Sequence, residues 1–269
     1  MFRTVSHRRE GSHSLSLSLL RNIHSHNKAK PNKAKPSQAE QTSQAKPSQA
    51  KPSRMNQLVA SLCQSARGIL HHKTTLLDVL VAKHGPDDAV RIFTTVCPVV
   101  HASLGQHLRH SMDHMERAVV MAKTMMTLLP AVDVDPQPKP SRDIHYDLRQ
   151  RGGMDEHDLT AARHRIQSVD ATWQDLSTTA TNPASRHLFE EPVQACFVLS
   201  GTTPSAPEVP LPSTVARELG FATHHAIHHL ALMRIIAIQT AGLSAHDLPS
   251  DFGKAPSTLQ FEAANPPPA

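Results

Sequence analysis

Thr223-His224-His225-Ala226-Ile227-His228-His229-Leu230 lies inside an apolar-rich run that reads as one long helix. The helix opens after Pro212, with Ser213 as its N-cap, and closes at Gly242. At about 100° per residue, Val215, Leu219, Ala222, Ala226, Leu230, Met233 and Ala237 fall on one narrow stripe. His225 and His229 sit at the margin of that stripe with Leu232 and Ile236. His224 and His228 lie on the far side, near Arg217, and read as solvated. Histidines four apart on a helix present their rings to the same side, one turn apart, which suits two nitrogens on a single transition metal. Glu218 shares the inward margin two turns before His225, where a carboxylate can orient a ligand or move a proton. Two inward histidines can also do no more than hydrogen-bond across a core, so a third ligand is needed to decide.

Apolar periodicity predicts three more helices. One covers 55–83 and stops at His84-Gly85-Pro86; a second covers 102–129 and stops before Pro130. The third follows Gly152-Gly153, with Asp155 or Glu156 in its first turn, and fades near Asn182-Pro183. Helix count and length point to an all-α four-helix bundle. The linkers at 130–151 and 183–212 are long and Pro-rich, more than helical hairpins need, which suggests work at one end of the bundle. Residues 193–199 form the one plausible strand, and it has no obvious partner.

The folded part is expected to span 54–261. Before it, residues 28–53 repeat Asn-Lys-Ala-Lys-Pro and Ser-Gln-Ala-Lys-Pro, with recurrent proline and little to bury, and read as a disordered linker. Residues 1–27 are rich in Arg, Ser and His and poor in acid. They resemble an organelle transit peptide in composition, or are a plain disordered tail; Met55 offers an alternative start. The expected location is therefore cytoplasmic, or mitochondrial if the tail is a targeting signal. Residues 262–269 read as a disordered C-terminal tail.

Charge and composition exclude several classes. The tail 1–53 holds ten Lys/Arg against two acidic residues, whereas the rest holds 18 basic and 21 acidic, so the basic character belongs to the tail. Aromatic residues make up 3% of the chain, which argues against a base-stacking nucleic-acid module. No uncharged apolar run approaches the roughly 20 residues of a membrane span. Cys63, Cys97 and Cys196 are far apart and odd in number, and read as buried or free thiols. No stripe demands a homodimer, though a bundle allows one.

The second helix carries His107, His110 and His114 at i, i+3 and i+7 in Gln106-His107-Leu108-Arg109-His110-Ser111-Met112-Asp113-His114. All three flank the apolar face of Leu104, Leu108, Met115, Val119, Ala122, Met126 and Leu129, with His107 nearest and His110 furthest. One of them beside His225 and His229 would complete three imidazoles with an open position, the arrangement of a catalytic rather than a closed structural site. The helical wheel favours His107 or His114 for that place.

These pieces resemble the DinB-like (DinB/YfiT-like) superfamily of metalloenzymes. The resemblance rests on Ala102-Ser103-Leu104-Gly105-Gln106-His107-Leu108-Arg109-His110 and on Arg217-Glu218-Leu219 with His225-Ala226-Ile227-His228-His229. Ile144-His145-Tyr146-Asp147-Leu148-Arg149-Gln150-Arg151 and Phe252-Gly253-Lys254-Ala255-Pro256-Ser257-Thr258-Leu259 resemble two segments of an uncharacterised branch. The resemblance spans roughly 55–261 and implies an antiparallel four-helix bundle. It also implies a divalent metal, zinc most often and nickel or iron in some members, held by His110, His225 and His229. Members act as thiol-dependent transferases and isomerases or as hydrolase-like proteins, so the partner implied is a small-molecule substrate, such as a low-molecular-weight thiol. In the loop, Tyr146, Arg149 and Arg151 form a candidate anion-binding fork for substrate; the competing reading is a clamp in which Asp147 pairs with Arg149, Arg151 or Arg217.

The leading expectation is a metal-dependent transferase or hydrolase, with Glu218 as proton shuttle or ligand orienter. The alternative is a non-enzymatic metal- or small-ligand-binding bundle, since neither a Ser/His/Asp pattern nor an activated Cys is visible.

Overall fold

The computed structural model describes residues 54–128, 141–148, 151–182, 185–201 and 206–266. The expectations for the tails at 1–53 and 267–269, for most of the first long linker and for Arg149 fall outside these residues. Within them the protein is mostly helical, with one small sheet. The order is α1 (Arg54–His84), α2 (Pro86–Thr94), α3 (Leu104–Leu128), β1 (Asp143–His145), α4 (Leu159–Ala180), α5 (Arg186–Glu190), β2 (Pro192–Phe197), β3 (Val209–Thr214), α6 (Val215–Ala241) and α7 (Pro256–Ala264). A 3-10 turn, Met154–Glu156, precedes α4.

The four long helices meet in pairs: α1 packs on α4 and α6, and α3 packs on the same two. Their shared interior holds Leu70, Leu77, Leu108, Met112, Trp173, Leu176, Leu219 and Met233, all buried. Each such side chain removed from water contributes roughly 1.5–3 kcal/mol, which makes this interior the main source of stability.

Helix ends follow the local sequence. Ser103 and Gln106 form a capping box on α3: Gln106 N donates to Ser103 Oγ at 3.2 Å, and Ser103 N donates to Gln106 Oε1 at 3.0 Å. Thr214 rather than Ser213 caps α6, accepting from Arg217 N, and Gly242 closes the helix in the left-handed conformation. α4 begins later than expected. Asp155 and Glu156 enter the 3-10 turn, where they pair with Arg165 and Arg109, and Asp158 takes the cap, accepting from Ala161 N at 2.6 Å.

The sheet corrects the all-α expectation. β2 contains most of the residues of the one plausible strand, and it has two partners. β1 pairs with it in parallel, Ile144 opposite Ala195, and β3 pairs with it antiparallel, Ala195 opposite Leu211. Pro210 and Pro212 lie in β3, an edge strand of this sheet, where a residue without an N–H is tolerated. At the other end, α7 carries helix to Ala264, beyond the boundary expected at 261. The preceding Gly253 has φ +71°, and a Cβ there would stand 2.8 Å from the Ala231 backbone, so only glycine lets this segment lie against α6.

Candidate metal centre

α3 and α6 pack directly on each other, and each turns its histidine face toward the other. Spacing of i, i+4 brings His110 and His114 together on α3, and His225 and His229 together on α6. The ring centroids of His110 lie 4.8 Å from His114, 5.5 Å from His225 and 4.6 Å from His229. One ligand nitrogen from each of His110, His114 and His225 lies within 4.8 Å of the others, so these three could hold a metal ion. His229 stands alongside, its Nε2 3.0 Å from His225 Nε2. That separation is close to the roughly 3.3 Å expected for two nitrogens about 2.0 Å from one tetrahedral zinc. The other nitrogen of His229, Nδ1, lies 2.9 Å from His107 Nδ1, so one of these two rings carries the shared proton and the other accepts it. His107 Nε2 is buried, with no hydrogen-bond partner among the described residues.

Electrostatics favour the neutral form of His229 and His107. Burial, followed by the neighbouring His110, His225, His107 and His228, drives the pKa of His229 far below that of free imidazole. Burial and then His228 lower His107 as well. A neutral imidazole with a free lone pair is the form that binds a metal, so the donor set fits a borderline cation such as zinc.

An aromatic wall closes one side. His114 stacks on Tyr146 at 4.8 Å with an interplanar angle of 11°, and Tyr146 stacks on Phe197 at 5.1 Å. Phe221 stacks on His225 at 5.6 Å. The chain has one Tyr and seven Phe, so its sole tyrosine and two of its phenylalanines are gathered on these histidines. β1 and β2 make this possible: Tyr146 N donates to Cys196 O just beyond the strand pair, which fixes the ring over the cluster.

Glu218 is buried. Its Oε1 accepts from Ser213 Oγ at 2.5 Å and from Arg217, whose guanidinium also lies over Phe221. The Tyr146 hydroxyl lies beside the same carboxylate without a hydrogen bond of normal geometry. Burial, and then that carboxylate, raise the tyrosine pKa well above its ordinary value. Glu218 is thus separated from His114 by the Tyr146 ring, which stacks on that histidine.

The sequence-predicted residues divide accordingly. His110, His225 and His229 come together, and His114 joins them from the stripe in which the second-helix ligand had been left open. His224 and His228 are exposed, as the wheel indicated. Tyr146 is fully buried against the histidines rather than presented to solvent. Asp147 holds the loop to the sheet, its Oδ2 accepting from Val198 N at 2.8 Å while its own N–H donates to Glu208 Oε1. Arg217 pairs with Glu218, and Arg151 lines a cavity with His107 and His110.

Sequence reasoning passed over Phe197, Phe221 and a buried ionic network behind α3. There Arg109 pairs with Asp113 and Glu156, and Arg165 pairs with Asp113, Glu116 and Asp155. Gly105 lets the 3-10 turn approach: a Cβ at that position would lie 2.1 Å from Glu156 O. The spacing of Arg109, Asp113 and Glu116 at i, i+4 and i+7 was the available signal.

The three cysteines are free and buried. Burial pushes the Cys63 thiol up to about 12 and raises that of Cys196, so neither is an activated nucleophile.

Comparison with known proteins yields one partial similarity. FK506-binding protein 5 of Rhizopus delemar is 35% identical over 119 residues, 44% of this chain and 27% of that protein. The chain thus matches about a quarter of the relative's length. No family model matches the chain. No solved structure matches it.

Proposed function

We propose that this chain is a metal-dependent protein of the DinB-like kind, a four-helix bundle whose histidine site activates a small nucleophile for transfer or hydrolysis. The observation that supports it is the convergence of His110, His114 and His225 from two helices, with His229 in ligand range of His225. His110 and His225 are the constant members of the site; His229, as the resemblance implies, or His114, as the compact grouping suggests, supplies the third nitrogen. A divalent ion held there, with zinc the best match to the donors, supplies Lewis-acid activation of water or of a low-molecular-weight thiol. The protein contributes imidazole nitrogens, an aromatic wall that limits water, and the Tyr146 ring, whose stack orients His114. Because its own cysteines are all buried, the nucleophile comes from solution.

The test is elemental analysis of the full chain purified without a histidine tag. One equivalent of metal is expected, lost in His225→Ala and retained in His224→Ala. A metal-free wild type, or His225→Ala with unchanged content, overturns the reading. The inert cysteines also fit a second reading, a binding bundle without turnover. Screening thiol and electrophile pairs separates the two: activity abolished by a chelator and restored by metal excludes binding alone.

A further inference from the structure

A cavity of about 370 Å3 opens beside the histidine cluster, with His107 and His110 in its wall. This is within the size range of small-molecule sites. Two arginines line it, in different states. Arg109 is buried and neutralised by Asp113 and Glu156. Arg151 is exposed at the cavity, with no ion pair or hydrogen bond among the described residues. The other arginines around the centre are committed: Arg165 to three carboxylates, Arg217 to Glu218 and Arg117 to the Leu148 carbonyl. Gln106 uses its Oε1 in the capping box, which leaves its amide N–H groups available at the cavity wall. A strained residue completes the rim: His101 has φ +57°, the one non-glycine residue with positive φ among those described. Its loop is pinned by His101 N to Cys97 O at 2.8 Å and Cys97 N to Ala102 O at 3.1 Å. Strain held in place at the lip of a cavity is a recurrent feature of ligand sites.

We propose that this cavity binds the carboxylate of a small monoanionic substrate through Arg151 and the Gln106 amide, leaving the other end of that substrate toward the histidines. The inference rests on the metal-site reading for what happens at that other end. The charge balance selects the class. With Arg109 and Glu156 cancelling, one uncompensated guanidinium remains, and a planar carboxylate matches it in charge and in fork geometry. A phosphate dianion would leave excess charge in the cavity.

The experiment compares 3-mercaptopropionate with 2-mercaptoethanol by calorimetric titration of the zinc-loaded full chain, in wild type, Arg151→Gln and Arg151→Lys. The carboxylate thiol is expected to bind about tenfold or more tightly than the neutral one, as a charge-assisted hydrogen-bonded pair implies. That advantage is lost in Arg151→Gln and partly kept in Arg151→Lys, with zinc content unchanged. Equal binding of the two thiols, an advantage that survives Arg151→Gln, or tighter binding of inorganic phosphate than of the carboxylate overturns the inference while leaving the metal reading intact. If the chain takes up no zinc, the metal reading fails on its own, and propionate on the metal-free chain decides the subsite. Saturable binding lost in Arg151→Gln supports it, and its absence overturns it.

Discussion

Lys73 is fully buried on α1, its Nζ donating to Met112 Sδ at 3.3 Å and Met115 Sδ at 3.4 Å. Two thioethers are weak acceptors for an ammonium. Burial, and then the charge on Arg165, lower its pKa from 10.5 to about 7. The sign follows from proton counting. Between about 7 and 10.5 the unfolded chain holds a proton that the folded one lacks, so stability rises with pH through that window and levels off on either side. At pH 7 and below, this single side chain costs the fold roughly 3–5 kcal/mol. Lys73→Met should therefore raise stability at pH 7 and flatten the rise between pH 7 and 10; chemical denaturation of both proteins across that range measures it. The position was legible, since Ile69, Leu70, Leu76, Leu77 and Leu80 place residue 73 on their own stripe. His71-His72-Lys73 reads locally as a polar face, which concealed it. The candidate ligands differ in that respect: His225 and His229 declare their face through the apolar stripe beside them. His114 was left undecided because three histidines flank the apolar face of α3 and only the neighbouring elements choose between them.

At the scale of elements, the sheet and the 3-10 turn do what helices alone would not. β1 and β2 hold Tyr146 over His114, so the stack rather than the hydroxyl is the feature that positions the ring. Tyr146→Phe should keep metal affinity near wild type, and Tyr146→Ala should lower it about tenfold or more, read by competition with a chromophoric chelator. The 3-10 turn anchors α4 to α3 through Arg165. Arg165→Ala leaves Asp155 without its partner and Asp113 with Arg109 alone, and is expected to cost roughly 1–3 kcal/mol in urea denaturation. The C-terminal segment depends on Gly253, where both positive φ and the nearby Ala231 backbone forbid a side chain. Gly253→Ala should lower the midpoint of thermal unfolding and expose the segment after Phe252 to limited proteolysis. The long helices were readable because a 3.6-residue period repeated over more than twenty residues leaves one interpretation. The strands were not: β1 has three residues, and the prolines of β3 argue against a strand until its edge position is known.

For the whole molecule, the proposed metal site would couple binding to folding, because the histidine nitrogens converge only when α3 and α6 are docked. A metal at 100 times its dissociation constant should stabilise the fold by about 2.7 kcal/mol. Differential scanning calorimetry of the full chain should show an upward shift of a few degrees with zinc, absent in His225→Ala. A shift of equal size in both proteins would place the ion elsewhere. Among the described residues no helix is long and apolar enough to cross a membrane.

The sequence by itself determined the long helices, the side of α6 that turns inward and the candidate pair His225 and His229, whereas His110 entered only through the family resemblance. These are properties of one chain segment at a time, written in residue spacing. Tertiary structure decided that His114 joins them and that Tyr146 stacks on a histidine instead of meeting solvent. It also decided that Glu218 lies beside Tyr146 rather than beside a histidine, and that Arg151 lines the cavity without an ion pair among the described residues. Each of those outcomes depends on which carboxylate, ring or backbone group arrives from a distant segment, and spacing along the chain carries no record of that.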